Sequence, residues 1–138
     1  MSKMIKFHNA MFWTDDTDIL YCEFTNQKQN HKLDVDFVKF YIDAITNLCN
    51  GKAMPFLIDL RGSRGTFSIS AAKLLAKDSE LIKLRISESF VTNTIGIKLL
   101  ITTYKRLYDP ITPFGIFNNI EDAKIFCNAY KNEVEESV

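Results

Sequence analysis

PFLIDLRGSRGTFSISAAKLL, residues 55–75, is the stretch whose reading decides the fold. Its opening, PFLIDL, is a short and almost continuous apolar run, as expected of a central strand covered on both faces. Two Arg-Gly steps then interrupt the chain. Ser68 or Ser70 stands where a helix N-cap is needed, and Ala71, Ala72, Leu74 and Leu75 follow at the spacing of a core-facing helix. A buried strand that leads through a turn into a helix belongs to an α/β arrangement.

The flanks extend the pattern. MIKFHNAMFW (residues 4–13) and ILYCEF (19–24) read as two strands joined by a tight polar turn, for which Asp15, Asp16 and Asp18 supply the chemistry. A polar loop leads to a helix capped by Asp34, with Val38, Tyr41, Ile42, Ile45, Leu48 and Cys49 on one apolar face and Asn50-Gly51 as its stop. After residue 75, DSELIKL adds a helical turn and RISESFVT a strand. NTIGIKLLITTYKRLY is a helix with Leu99, Leu100, Thr103, Tyr104 and Leu107 on one face, ended by Asp109-Pro110. TPFGIFN is a last strand, and a helix over 119–134 turns Ala123, Phe126, Cys127, Tyr130 and Val134 inward. The predicted order is β-β-α-β-α-β-α-β-α. It describes one α/β domain over residues 1–138: a mixed, mostly parallel sheet with helices packed against it and an antiparallel hairpin at its start.

Composition narrows the function. Hydrophobic residues make up 46% and charged residues 25%, the balance of a soluble globular chain. Lys plus Arg number 17 and Asp plus Glu 17, so no bulk charge draws the chain to nucleic acid or to an anionic membrane. The basic stretch 61–85 and the acidic stretches 14–23 and 119–138 read as solvated faces. The start lacks the apolar core of a signal peptide, and no run approaches the roughly 20 residues of a membrane span, so no membrane insertion is expected. Cys22, Cys49 and Cys127 form no C-x-x-C pair, which points away from zinc and from a disulfide framework and towards the cytoplasm. His8 and His31 are remote from each other and make no metal-ligand spacing; Asp15, Asp16 and Asp18 lack the glycine and distal glutamate of a calcium loop. No nucleophile has a histidine partner in the pattern. The expectation is a protein that is not an enzyme and has no metal and no cofactor.

RGSRG lies where anions bind, after a strand and before a helix, yet it is neither a P-loop nor a dinucleotide fingerprint. Arg61, Gly62, Ser63 and Arg64, with Ser70, are the candidate anion-binding or partner-binding residues. The alternative is an ordinary turn in which Arg61 pairs with a neighbouring acid.

This element order, with FLIDLRG leading into a serine-flanked helix start, resembles the STAS (SpoIIAA-like) fold of anti-sigma-factor antagonists and sulphate-transporter cytoplasmic domains. The chain is similar in particular to small uncharacterised bacterial STAS-like proteins. The shared features are an aromatic first strand with acidic turn residues (MFWTDDTDILY), a central DLRG (Asp59–Gly62) and a closing strand that runs into an acidic-start helix (PFGIFNNIEDAKIF). In the antagonists the corresponding loop reads roughly D-L-S-G-x-x-F-x-D-S-S-G, and a serine of D-S-S-G is phosphorylated. Ser68 falls nearest that serine, with Phe67 in place of the aspartate, Ile69 of the second serine and Ser70 of the glycine. The resemblance implies a non-enzymatic regulatory or interaction domain in a bacterial cytoplasm. Ser68 would be its candidate phosphosite, and its protein partner a kinase, an anti-sigma-like regulator or a second copy in a homodimer. The alternative on the same fold is a module that holds a small anionic or apolar ligand between sheet and helix.

Overall fold

The computed structural model describes residues 3–25, 32–33, 35–63, 66–67 and 69–136. Eight strands and five helices follow one another along these residues: β1 (Lys3–Lys6), β2 (Ala10–Thr14), β3 (Leu20–Phe24), β4 (Lys32–Leu33), α1 (Val35–Cys49), β5 (Met54–Asp59), β6 (Thr66–Phe67), α2 (Ile69–Lys77), α3 (Ser79–Leu84), β7 (Arg85–Val91), α4 (Ile95–Tyr108), β8 (Phe114–Phe117) and α5 (Ile120–Glu136). Six strands make one sheet in the order β1-β2-β3-β5-β7-β8, and β4 and β6 form a separate parallel pair. The joins β1-β2 and β2-β3 are antiparallel, whereas β3, β5, β7 and β8 run parallel.

The central strand behaves as its sequence demands. Side chains alternate across the sheet with a period of two. Phe56 joins Phe12, Leu20 and Cys22 beneath α1 and α2, while Leu57 joins Tyr21 and Val91 beneath Ala123 and Cys127 of α5. Helices on both faces explain why this strand carries no alternation of apolar and polar residues.

The expected helix faces and stops are mostly present. Val38, Tyr41, Ile42, Ile45, Leu48 and Cys49 are all buried, and α1 ends with Asn50 and Gly51 at φ of 49° and 82°. Both lie in the left-handed region that closes a helix, where glycine carries no Cβ penalty. Asp34 and the side chain of Val134 lie outside the described residues.

Two expectations need correction. The single strand read over 4–13 is a hairpin, β1 and β2, closed by a hydrogen bond from Phe7 N–H to Ala10 O at 2.7 Å. Phe7 and Phe12 are five residues apart and would point to opposite faces of one straight strand. The reversal lets both rings pack on Tyr41, at 5.1 and 5.2 Å. The element order therefore opens with three strands, and the short β4 and β6 add a pairing that the hydrophobic pattern does not announce.

On α4 the expected inward face is present only in part: Leu100 and Tyr104 are half-buried and turn inward, whereas Thr103 is exposed. Leu99 and Leu107 are each 62% exposed, whereas Ile101 and Lys105 are buried at 4% and 2%. The reason is an ion-pair network described below, which holds Lys105 inward and turns the helix with it. No helix of the described residues is long and apolar enough to cross a membrane.

Candidate functional site

A bulge in β7 builds the site. Met54 of β5 pairs with Arg85 and Phe56 with Glu88, so two steps on one strand match three on the other. In a regular strand, residues three apart face opposite ways; the extra residue brings Arg85 and Glu88 to the same face. Both look towards α2 and α4. Ser89, in phase with Ser87 and Val91, faces α5 and donates from Oγ to Ala123 O at 3.1 Å.

Arg85 and Glu88 meet Lys105 and Asp109 of α4 in a buried tetrad. Lys105 Nζ donates to Glu88 Oε1 at 2.5 Å and to Asp109 Oδ2 at 2.8 Å. Arg85 Nη2 lies 3.4 Å from Asp109 Oδ2, and its Nη atoms donate to Leu75 O and Ala76 O at the end of α2. All four residues are at most 8% exposed. With two cations and two anions the group is formally neutral, the condition under which charges survive burial. Burial pushes the Asp109 carboxyl up, but the hydrogen bonds from Lys105 and Thr112 outweigh it and leave the group at about 2. Burial, and then the Glu88 carboxylate, push the Tyr104 phenol up. Two buried polar atoms lack a partner among the described residues: Arg85 Nε and the Ser87 hydroxyl.

Two members of the tetrad, Arg85 and Glu88, floor a cavity of about 170 Å³ between the sheet and the helices. Its sheet wall includes Phe12, Cys22, Phe56, Ile58 and Phe90; its helix wall includes Tyr41 and Ile45 of α1, Leu75 of α2 and Ile97, Leu100 and Ile101 of α4. Arg85, Glu88 and Tyr104 close the inner end, and Asn9, Leu60 and Ser63 stand at the rim. Phe56 pairs with Glu88, and Leu60 N–H bonds to Val91 O, so floor and rim are four β5 residues apart, about 13 Å. The rim lies at the C-terminal ends of parallel strands, where open α/β sheets hold their ligands.

The residues singled out in RGSRG meet this site only at its edge. Ser63 lines the rim, its N–H bonded to Leu60 O at 3.1 Å. Gly62 backs onto β3, where a Cβ would come within 3.3 Å of Phe24 O. Arg61 grips Asp59 with a two-pronged fork, Nε to Oδ1 at 3.0 Å and Nη2 to Oδ2 at 2.9 Å, and adds its backbone N–H to Oδ1. Ser70 is the exposed second residue of α2. Arg64 and Ser68 lie outside the described residues. His8 is exposed, and the three cysteines are buried and free, with Cys22 in the cavity wall.

Arg85, Glu88, Lys105 and Asp109 were not distinguished in the sequence. Their signals were weak: a glutamate inside an otherwise apolar strand, and a Lys-Asp pair four apart at the end of a helix.

Comparison with solved structures finds the same architecture elsewhere. An uncharacterized protein of the DUF3478 family with a SpoIIAA-like fold, from Shewanella loihica PV-4, aligns over 92% of this chain and 95% of its own, with a TM-score of 0.58 and 14% identity. The fold is therefore SpoIIAA-like, the STAS-type arrangement that the sequence resembles. No curated protein matches the chain. The family profile described as Domain of unknown function (DUF7793) matches residues 12–131, most of the sheet and all of α1–α4, and the chain belongs to that family.

Proposed function

We propose that the protein binds a small, mainly apolar molecule in the cavity between the sheet and α1, α2 and α4, and that its role is to hold or sense that molecule without transforming it. The observation that carries this reading is the cavity itself. It opens at the strand ends, and its wall of aromatic and aliphatic side chains offers water few hydrogen-bonding partners while suiting an apolar body. An engineered apolar cavity of about 150 Å³ takes up benzene, so the volume here suits a ligand of that order.

A regulatory role, as the fold resemblance implies, is the second reading, and one observation favours it. Ile69 and Ile95, the first residues of α2 and α4, are 64% and 78% exposed at the sheet edge where the cavity opens. A protein partner docking on this edge would meet apolar side chains beside the mouth and could read whether the cavity is filled.

Native mass spectrometry of protein purified under mild conditions tests the first reading. We expect a mass increment that disappears on denaturation and returns on adding the extracted compound. A chain that never carries an increment, and whose melting temperature no apolar probe raises, would show the cavity to be a packing fault.

A further inference from the structure

We infer that the cavity is built for an uncharged molecule of about one ring, with an apolar body and a single hydrogen-bonding group placed at the Arg85–Glu88 end. This inference rests on the binding reading above and narrows its small, mainly apolar molecule to one class.

Charge comes first. Among the described residues, the only ionised groups in the cavity lining are Arg85 and Glu88, and they belong to a tetrad in which two cations already face two anions. A ligand carboxylate or ammonium would shed its hydration and find no unmatched counter-charge at the floor. Between floor and rim the wall is aromatic and aliphatic, which offers an ion nothing.

A wholly apolar ligand is also a poor match. Arg85 lies in the cavity lining, is 8% exposed and uses both Nη atoms on Leu75 O, Ala76 O and Asp109, while its Nε–H has no acceptor. Glu88, beside it, engages Lys105 through Oε1. A hydroxyl or amide at this point can accept from the guanidinium and donate to the carboxylate, and a hydrocarbon can do neither. Size sets the last limit, because 170 Å³ has room for a substituted single ring or a short chain of similar volume.

Four ring compounds of nearly equal size separate the possibilities: toluene, benzyl alcohol, benzoate and benzylammonium. Each is titrated at neutral pH into the full chain, followed by amide NMR. We expect benzyl alcohol to shift residues of β5, β7 and α4, and to bind at least tenfold more tightly than either ion and more tightly than toluene. Ile58→Phe, which fills the cavity from the sheet side, should remove the binding; if that variant does not fold, Leu100→Trp on the half-exposed side of α4 serves instead. Benzoate or benzylammonium binding as well as the alcohol would overturn the uncharged class and leave the cavity reading standing. Toluene matching the alcohol would overturn the polar group at the floor. If none of the four binds, or if the filled variants bind as the wild type does, the cavity reading falls, and this inference with it.

Discussion

At the scale of single residues, Lys105 matters most. Removing one partner of a buried ion pair leaves a charge without compensation, which costs about 3–5 kcal/mol, whereas replacing both partners by apolar groups costs far less. Lys105→Met should therefore destabilise the protein by that amount. Adding Glu88→Leu should recover part of the loss, although Asp109 and Arg85 stay behind. Urea denaturation of the wild type, both single variants and the double variant measures this coupling, and strict additivity would contradict it. Asp109 adds a dependence on pH. Its folded pKa, about 2, lies below the ordinary 3.8, so the unfolded chain takes up the proton first. Its contribution, on the order of 2 kcal/mol, is complete above about pH 4 and fades as pH falls towards 2. The stability gap between the wild type and Asp109→Asn should close over that window; a gap that is flat in pH would show the carboxylate to be unperturbed. The cysteines give an independent check on burial. Burial raises all three thiols, Cys49 to about 11, so a thiol reagent should label the native protein slowly and the denatured chain fast.

Among the elements, β5 and the turn after it make opposite predictions. Leu57 is 1% exposed beneath α5, whereas Ile58 is partly buried and lines the cavity. Leu57→Asp should leave no cooperatively folded protein, because a lone buried carboxylate takes more than about 3 kcal/mol from a total of about 5–15. A sharp thermal transition in that variant would remove β5 from the centre of the sheet. Arg61→Ala, by contrast, breaks a pair whose arginine side chain is 40% exposed, and should cost at most about 1 kcal/mol. Because Asp59 occupies the fork of Arg61, inorganic phosphate has to displace it. We expect millimolar phosphate to shift the amides of residues 61–63 only weakly in the wild type and more strongly in Asp59→Asn. Equal shifts in both proteins would show that Arg61 takes no part.

Taken as a whole, the molecule has a neutral core network on one face of its sheet and a cavity that opens at the strand ends. An occupant present at about 100 times its dissociation constant stabilises the folded state by about 2.7 kcal/mol, which raises the melting temperature of a domain this size by roughly 10 °C. Scanning calorimetry with a bound compound should show that rise in the wild type and lose it in the cavity-filled Ile58→Phe.

The strand at 54–59, the apolar face of α1, the Asn50-Gly51 stop and the α/β class were all legible in the sequence. Local spacing decides them: a period of two, a period of 3.6, or a residue that tolerates positive φ. The hairpin at Phe7–Ala10 was not legible, because it depends on two rings meeting a tyrosine more than 25 positions away. Nor was the site. Arg85 and Glu88 share a face only because β7 bulges against β5, and Lys105 is buried only because Glu88 and Asp109 wait for it. A period-two reading places Arg85 and Glu88 on opposite faces, and a hydropathy reading of α4 sends Lys105 to solvent. Spacing along the chain reports what a residue does to its own backbone; which charges can be buried depends on the partners that other elements bring to them, and only the tertiary structure supplies those.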